Sequence, residues 1–505
     1  MKRRKSLVRI LALFLALLML LGVVALAIIS FEGLAEAGAP ARARYDMALS
    51  LDDRRMTLDV SLRVTYPNPA DFELDEVRFV VSAAAYRRFD TLPCEDAAVP
   101  SAFPSGYAPG GALFFSVTVD GEPADWGVSG AGERILRVGC RIPRGGAATF
   151  GFDYALILCD DRGGLGYGPL GIRLIDFYPV AAPLDPAREL FMGGGFSAIG
   201  DFEASEAADY EVVLYAPETY RVAASGGGEG EPVGSGMSRW SFSVENARGF
   251  AAVLCRRYRE YSAVSDRGVR VRAYTNDRGW GPAAAEAAAR ALDAYSEWFG
   301  EYPYDSLELA RAEAVGGAAS RAGLLILGEA PPASGGWDPP RLEVYALVAS
   351  QWFGGLVGCD RAEEPWLADA LSAYAALSLV RREEGEAAFF RALNARTLDS
   401  LRITLPRELL PNSPVRFFHT RAEYEIAVID RGVAALYLLE EAMGEGALRS
   451  ALGLYAEGHR FGIAGTVDFK AALREASGRD WGEYLDYLFA TVGGEEYDDF
   501  EGFYD

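Results

Sequence analysis

Histidine is scarce in this chain: 505 residues contain two, His419 and His459. Two imidazoles exclude any three-histidine metal site. Cysteine is sparse as well, at five residues, and no two form a C-x-x-C pair, so a structural zinc ribbon is unsupported. The nearest pair in sequence, Cys140 and Cys159, is open to a disulfide if the chain is exported, and burial as small hydrophobes is the other reading. A basic face is missing from the body of the chain. With a net charge of −23 it lacks the footprint of a nucleic-acid binder. The glycine runs at 163–168 and 193–195 are not followed by a P-loop lysine and read as turns. No G-x-S-x-G nucleophile elbow with a paired histidine occurs. Cys359 has no histidine at hand to activate it as a nucleophile. No internal repeat is visible.

What is present begins at the N-terminus. Lys2, Arg3, Arg4, Lys5 and Arg9 form a basic segment, 1–9, before an uncharged apolar run at 10–31. At about 1.5 Å per helical residue, that run spans a hydrocarbon core of about 30 Å. The basic residues stay cytoplasmic and the rest of the chain lies outside. The run exceeds the usual signal-peptide core, which favours an uncleaved, single-pass cell-membrane anchor. Ala35-Glu36-Ala37 offers the alternative of cleavage and secretion. A linker follows at 32–43.

The body is half hydrophobic and about a quarter charged, enough to bury large cores. From 44 to 262 the signals are strand-like. Residues 56–66 alternate apolar and polar and stop at Pro67-Asn68-Pro69; 76–82 and 210–215 repeat the pattern. Short strands with Gly/Pro punctuation predict an antiparallel β sandwich or saddle. After a strand at 269–274 the period changes. Helices are predicted at 282–299, 342–356, 364–381, 385–401, 422–443, 446–459 and 467–477, with Thr466 as N-cap of the last. Strands are expected at 307–314 and 324–328. The fold class is therefore α+β: an anchor, a β-rich domain at 44–262, and an α+β domain at 263–505 that ends as a helical bundle.

The run Gln351-Trp352-Phe353-Gly354, followed by Trp366-Leu367 and Tyr374, resembles the core of the membrane alanyl aminopeptidases, a gluzincin family with a thermolysin-like domain. Those proteins place H-E-x-x-H just before Q-W-F-G, and their third zinc ligand in W-L-N-E-G-F-A-S-Y. Residues 298–304 look like the end of the first helix of their catalytic domain. Residues 317–324 sit where they carry G-A-M-E-N-W-G-L, and 424–432 where they carry Y-x-x-x-x-Y-x-K-G. Residues 196–202 and 210–226 resemble the end of their N-terminal β domain. The resemblance covers nearly everything after the anchor and implies a metallopeptidase-like fold.

It also implies where the catalytic groups fall. The two histidines fall on Ala346 and Ser350, the general-base glutamate on Leu347, and the third ligand on Asp369, nineteen positions after Ser350. The glutamate that holds a substrate's amino terminus falls on Ser320, with Arg321 following. The transition-state tyrosine falls on Ile429, and Tyr424 matches an earlier, non-catalytic tyrosine. Ala346 has no donor atom, Leu347 cannot take a proton, and Ser350 is a poor zinc ligand. The family's zinc is thus expected to be absent, with no other cofactor in its place. Arg321 would repel an N-terminal ammonium and attract a carboxylate. Asp360, Glu363 and Glu364 cluster nearby, as a solvated loop or a site for a hard cation. The expectation is an extracytoplasmic pseudopeptidase whose vestigial cleft holds a peptide or protein partner. The alternatives are a hydrolase using a relocated site, such as Asp369 with Glu363 or Glu364, and a purely structural envelope protein.

Overall fold

A computed structural model describes residues 42–492, apart from 186–189, 193–196, 198, 200–203, 316, 329–338 and 407. The basic segment, the apolar run at 10–31, nearly all of the linker, the glycines 193–195 and most of the 196–202 motif lie outside the described residues. Among the described residues, no helix is long and apolar enough to cross a membrane.

The alternation at 57–67 does what its period requires. The strand Thr57–Pro67 turns Leu58, Val60, Leu62, Val64 and Tyr66 inward, each at most 4% exposed. At roughly 1.5–3 kcal/mol per large buried side chain, the five contribute on the order of 10 kcal/mol before the entropy of ordering is subtracted. This strand is central in an eight-stranded sheet, between Arg44–Asp52 and Ala147–Ile157. Two four-stranded sheets and a two-stranded one, Leu184–Asp185 with Leu190–Phe191, complete the described β-rich part. The pairing is antiparallel except at one place: Arg44–Asp52 runs parallel to Ala208–Pro217. The segment expected as a strand at 76–82 starts earlier, as Leu74–Val80, and then turns into a 3₁₀ helix, Ser82–Arg87.

A separate five-stranded sheet starts the second half. Its order is Arg259–Val264, Arg270–Thr275, Ser306–Arg311, Leu324–Leu327 and Ala319–Arg321. The second sheet therefore begins before residue 262, because Arg259–Val264 pairs along its whole length with Arg270–Thr275. Helix α1, Trp280–Phe299, packs its alanine-rich face on this sheet. Asp277 caps it, accepting from the Gly279 and Trp280 amides at 2.9 and 3.0 Å. Helices α2 (Pro339–Ala349), α3 (Trp366–Glu384), α4 (Glu386–Arg402), α5 (Arg431–Met443), α6 (Glu445–Gly458), α7 (Thr466–Ser477) and α8 (Gly482–Val492) build the bundle.

Several local expectations are corrected. The predicted helix at 342–356 ends at Ala349, because the chain turns at Gly354 (φ +98°) and packs so tightly at Gly355 that a Cβ would lie 2.3 Å from the Gln351 carbonyl oxygen. The predicted 422–443 helix is broken: a short turn Arg421–Tyr424 leads into a π-helix, Glu425–Asp430, before α5. Thr466 is the first residue of α7 and not its cap; the Asp468 carboxylate accepts instead from the Gly465 amide at 2.8 Å. All five cysteines are free thiols, so the Cys140–Cys159 bridge is not formed. Arg248, 7% exposed, ties the β-rich part to the bundle. It donates to the carbonyls of Gly355 at 3.0 Å, Gly462 at 2.6 Å, and Ser205.

Candidate functional site

Between the β-rich part and the bundle lies a cavity of about 600 Å³. Its walls are the glycine-rich loop at 161–165, the edge strand Ala319–Arg321, one face of α2, the start of α3, and the π-helix. Ala346, Leu347 and Ser350 all line it, as α2's 3.6-residue period dictates. Ser320, Arg321, Asp369 and Ile429 line it too. Seven of the eight residues singled out from sequence thus meet in one space. Tyr424 is buried behind the wall, its ring packed edge-on to Phe418, and reaches the site through its hydroxyl alone.

The polar groups are mutually engaged. Ser350 Oγ donates back to the Leu347 carbonyl at 2.8 Å. Asp369 is shared: Arg361 Nη2 donates to Oδ1 at 3.0 Å, and the Tyr424 hydroxyl donates to Oδ2. Burial, and next the charge of Asp369, raise the Tyr424 pKa well above its ordinary value, so the phenol keeps the proton it donates. Arg321 does not stand as a bare cation in the cleft. Its Nε and Nη2 grip both oxygens of Asp176, and its Nη1 donates to the Ser320 carbonyl at 2.8 Å. The expected pull of Arg321 on a ligand carboxylate is therefore largely spent on Asp176.

Gln351 fixes this wall. It is 2% exposed and fills its hydrogen-bonding capacity. Its Nε2 donates to Ser320 Oγ at 2.6 Å and the Arg321 carbonyl at 2.9 Å. Its Oε1 accepts from the Tyr302 hydroxyl at 3.2 Å and the Gly323 amide at 2.9 Å. The edge strand is thereby clamped to the end of α2.

Five carboxylates lining the cavity were not picked out from sequence: Asp176 and Glu425, held by Arg321 and Arg421, Glu313, held by Arg173 at 2.7 Å, and Asp161 and Glu343. Asp161 is 2% exposed; Oδ1 accepts from the Gly163 amide at 2.9 Å, and burial raises its pKa to about 6. Glu343, one turn before Ala346 on α2, is also raised by burial, against the pull of Arg311. A helical count back from Ala346 would have found Glu343. Arg361 stands beside the Asp360, Glu363 and Glu364 cluster but escaped notice because its partner is eight residues on. That cluster itself is dispersed. Asp360 accepts from the Ala362 and Glu363 amides, Glu363 pairs with Arg416, and Glu364 accepts from the Thr466 amide. Asp369 with Glu363 or Glu364 is therefore not an assembled pair, since each carboxylate is drawn to a different element. His419 is exposed and His459 half-buried, and neither lines the cavity. Cys359 does, but burial pushes its thiol up to about 12. Among the described residues, no three His, Cys, Asp or Glu side chains lie close enough to hold a metal ion.

Comparison with known proteins matches residues 345–488 to the peptidase family M1 domain. That segment, about a quarter of the chain, is similar to the peptidase family M1 domain. The matched segment opens within α2 and closes within α8, so it carries the bundle side of the cavity. Solved structures extend the likeness across the fold. The M1 zinc metallopeptidase from Deinococcus radiodurans aligns over 91% of this chain and 95% of its own, with a TM-score of 0.60 and 18% identity. A glutamate-to-alanine mutant of that protein aligns over 90% and 95%, with a TM-score of 0.62 and 17% identity. The same mutant bound to a Tyr-Ser-Ala substrate gives 0.61 and 18% over the same shares. No curated protein matches. At these identities the structural likeness speaks to fold, and the fold is that of the M1 metallopeptidases: a β-rich N-terminal part followed by a helical one.

Proposed function

We propose that this protein is a membrane-anchored, extracytoplasmic aminopeptidase-like protein that binds a peptide or protein partner in its cleft without hydrolysing it. The observation that carries the reading is the state of Asp369. The one carboxylate at a zinc-ligand position is held by Arg361 and Tyr424, beside an alanine and a serine where imidazoles would stand. A guanidinium at 3.0 Å already neutralises the carboxylate, and a divalent ion would have to displace it against like-charge repulsion. The missing general base at Leu347 and the missing hydroxyl at Ile429 add to this, since water activation and oxyanion stabilisation have no side chain to perform them. A cavity of about 600 Å³ remains, within the usual range of small-molecule and peptide sites. The anchor at 10–31 would hold that cavity outside the membrane.

The full chain in detergent, with zinc supplied, is expected to leave Tyr-Ser-Ala intact. Cleavage that a chelator abolishes would overturn the proposal.

A further inference from the structure

The cavity holds five arginines, and four are occupied. Arg248 donates to three carbonyls, Arg321 is bidentate with Asp176, Arg396 is bonded to Asp430 at 2.8 Å, and Arg421 is bonded to Glu425 at 2.9 Å. Arg361 differs. Among the described residues its only hydrogen-bonding partner is Asp369, reached through Nη2 alone, and its Nε is buried with no partner. Asp369 in turn divides its charge between Arg361 and Tyr424. About a third of the Arg361 side chain is accessible, and it lines the cavity. A guanidinium carries five donors in a planar fork, of which this one uses a single nitrogen.

We infer that Arg361 is the ligand-binding cation of this cleft, and that it takes a carboxylate, the free C-terminal carboxylate of a short peptide. Such a group would take charge-assisted hydrogen bonds from the unused Nη1, the end of the fork that is not buried. This reverses the polarity of an aminopeptidase cleft, which grips the amino end. The inference rests on the reading that the cleft is a binding site. The opposing features are the cavity's other carboxylates, Asp161 and Glu343 among them; were one of these the anchor, the ligand's ammonium would be read instead.

Isothermal titration of the full chain in detergent with tri-alanine, its C-terminal amide and its N-acetyl form separates these cases. Amidation is expected to weaken binding roughly 10- to 100-fold, the usual worth of hydrogen bonds to a charged group. Acetylation is expected to leave binding unchanged. Arg361→Met should bring the acid down to the level of the amide. Asp369→Asn, which removes the competing counter-charge and keeps the guanidinium, should tighten binding of the acid. A purely structural Arg361–Asp369 pair would give the opposite sign for that variant, so it remains decisive even if Arg361→Met does not fold. Equal affinity for acid and amide would overturn this inference and leave the binding cleft standing. Failure of all three peptides to bind would overturn both.

Discussion

Replacing Gln351 by leucine isolates the clamp that shapes the cleft. Leucine is close in volume, so the steric change is small and the effect is that of four lost hydrogen bonds. These divide into two kinds. The Ser320 hydroxyl and the Arg321 carbonyl border the cavity, where water can replace the amide, so their loss contributes little. The Tyr302 hydroxyl and the Gly323 amide are enclosed and would lose their acceptor with nothing to replace it. At roughly 1–3 kcal/mol for each buried orphan, Gln351→Leu should destabilise the chain by about 2–6 kcal/mol. Urea unfolding followed by tryptophan fluorescence reads the change, because the Trp352 ring lies 5.5 Å from that of Tyr302, tilted by 43°. Gln351→Glu is a useful companion: it keeps the acceptor for Tyr302 and Gly323 but loses both Nε2 donor bonds and sets an oxygen against the Arg321 carbonyl, so it should destabilise the chain as well. A loss below about 1 kcal/mol for Gln351→Leu would refute the reasoning, since it would mean that both donors find other partners.

Three further outcomes are expected. Glu440, 4% exposed, accepts from the Tyr374 hydroxyl and from Arg381 at 2.6 Å, so Glu440→Ala orphans the buried Tyr374 hydroxyl and leaves Arg381 only its longer contacts to Glu386 at 3.5 Å and Glu445 at 3.8 Å, and should cost about 1–3 kcal/mol in the same assay. Burial lifts Asp161 to about 6, above its value in the unfolded chain; the folded state therefore binds its proton more tightly, and this group's contribution to stability falls as pH rises from about 4 through 6. Asp161→Asn should remove that part of the slope, read as the difference between variant and wild-type unfolding midpoints at pH 4.5 and 7. Finally, thiol titration of the denatured, unreduced chain should count five reactive cysteines, and three would mean that a disulfide had formed.

The parts of the fold written in local periodicity were legible. The alternation at 57–67 gave a strand with one buried face, and the alanine-rich run after Pro282 gave α1. The cleft residues were found because the run Gln351-Trp352-Phe353-Gly354 resembles the aminopeptidase core, and counting back from it marks Ala346, Leu347 and Ser350, which the fold brings to one wall of the cavity. What sequence could not give depends on distance. Asp176 lies 145 residues from Arg321, and nothing local marks it as the group that neutralises that cation. The π-helix at Glu425–Asp430 has the composition of an ordinary helix, and nothing local marks its wider turn. The termination of α2 at Ala349 was foreshadowed by Gly354 and Gly355, but the apolar period carried on past them and outweighed the signal. Arg361 was hidden among acidic neighbours, and its role emerges only once Asp369 and Tyr424 are folded against it.

The measurement that bears most directly on the proposed loss of catalysis is the zinc content of the full chain, purified without chelator, incubated with zinc and then dialysed. The expected result is zinc at background, because Arg361 holds the remaining carboxylate and the neighbouring positions offer no imidazole. One zinc retained per chain would contradict it.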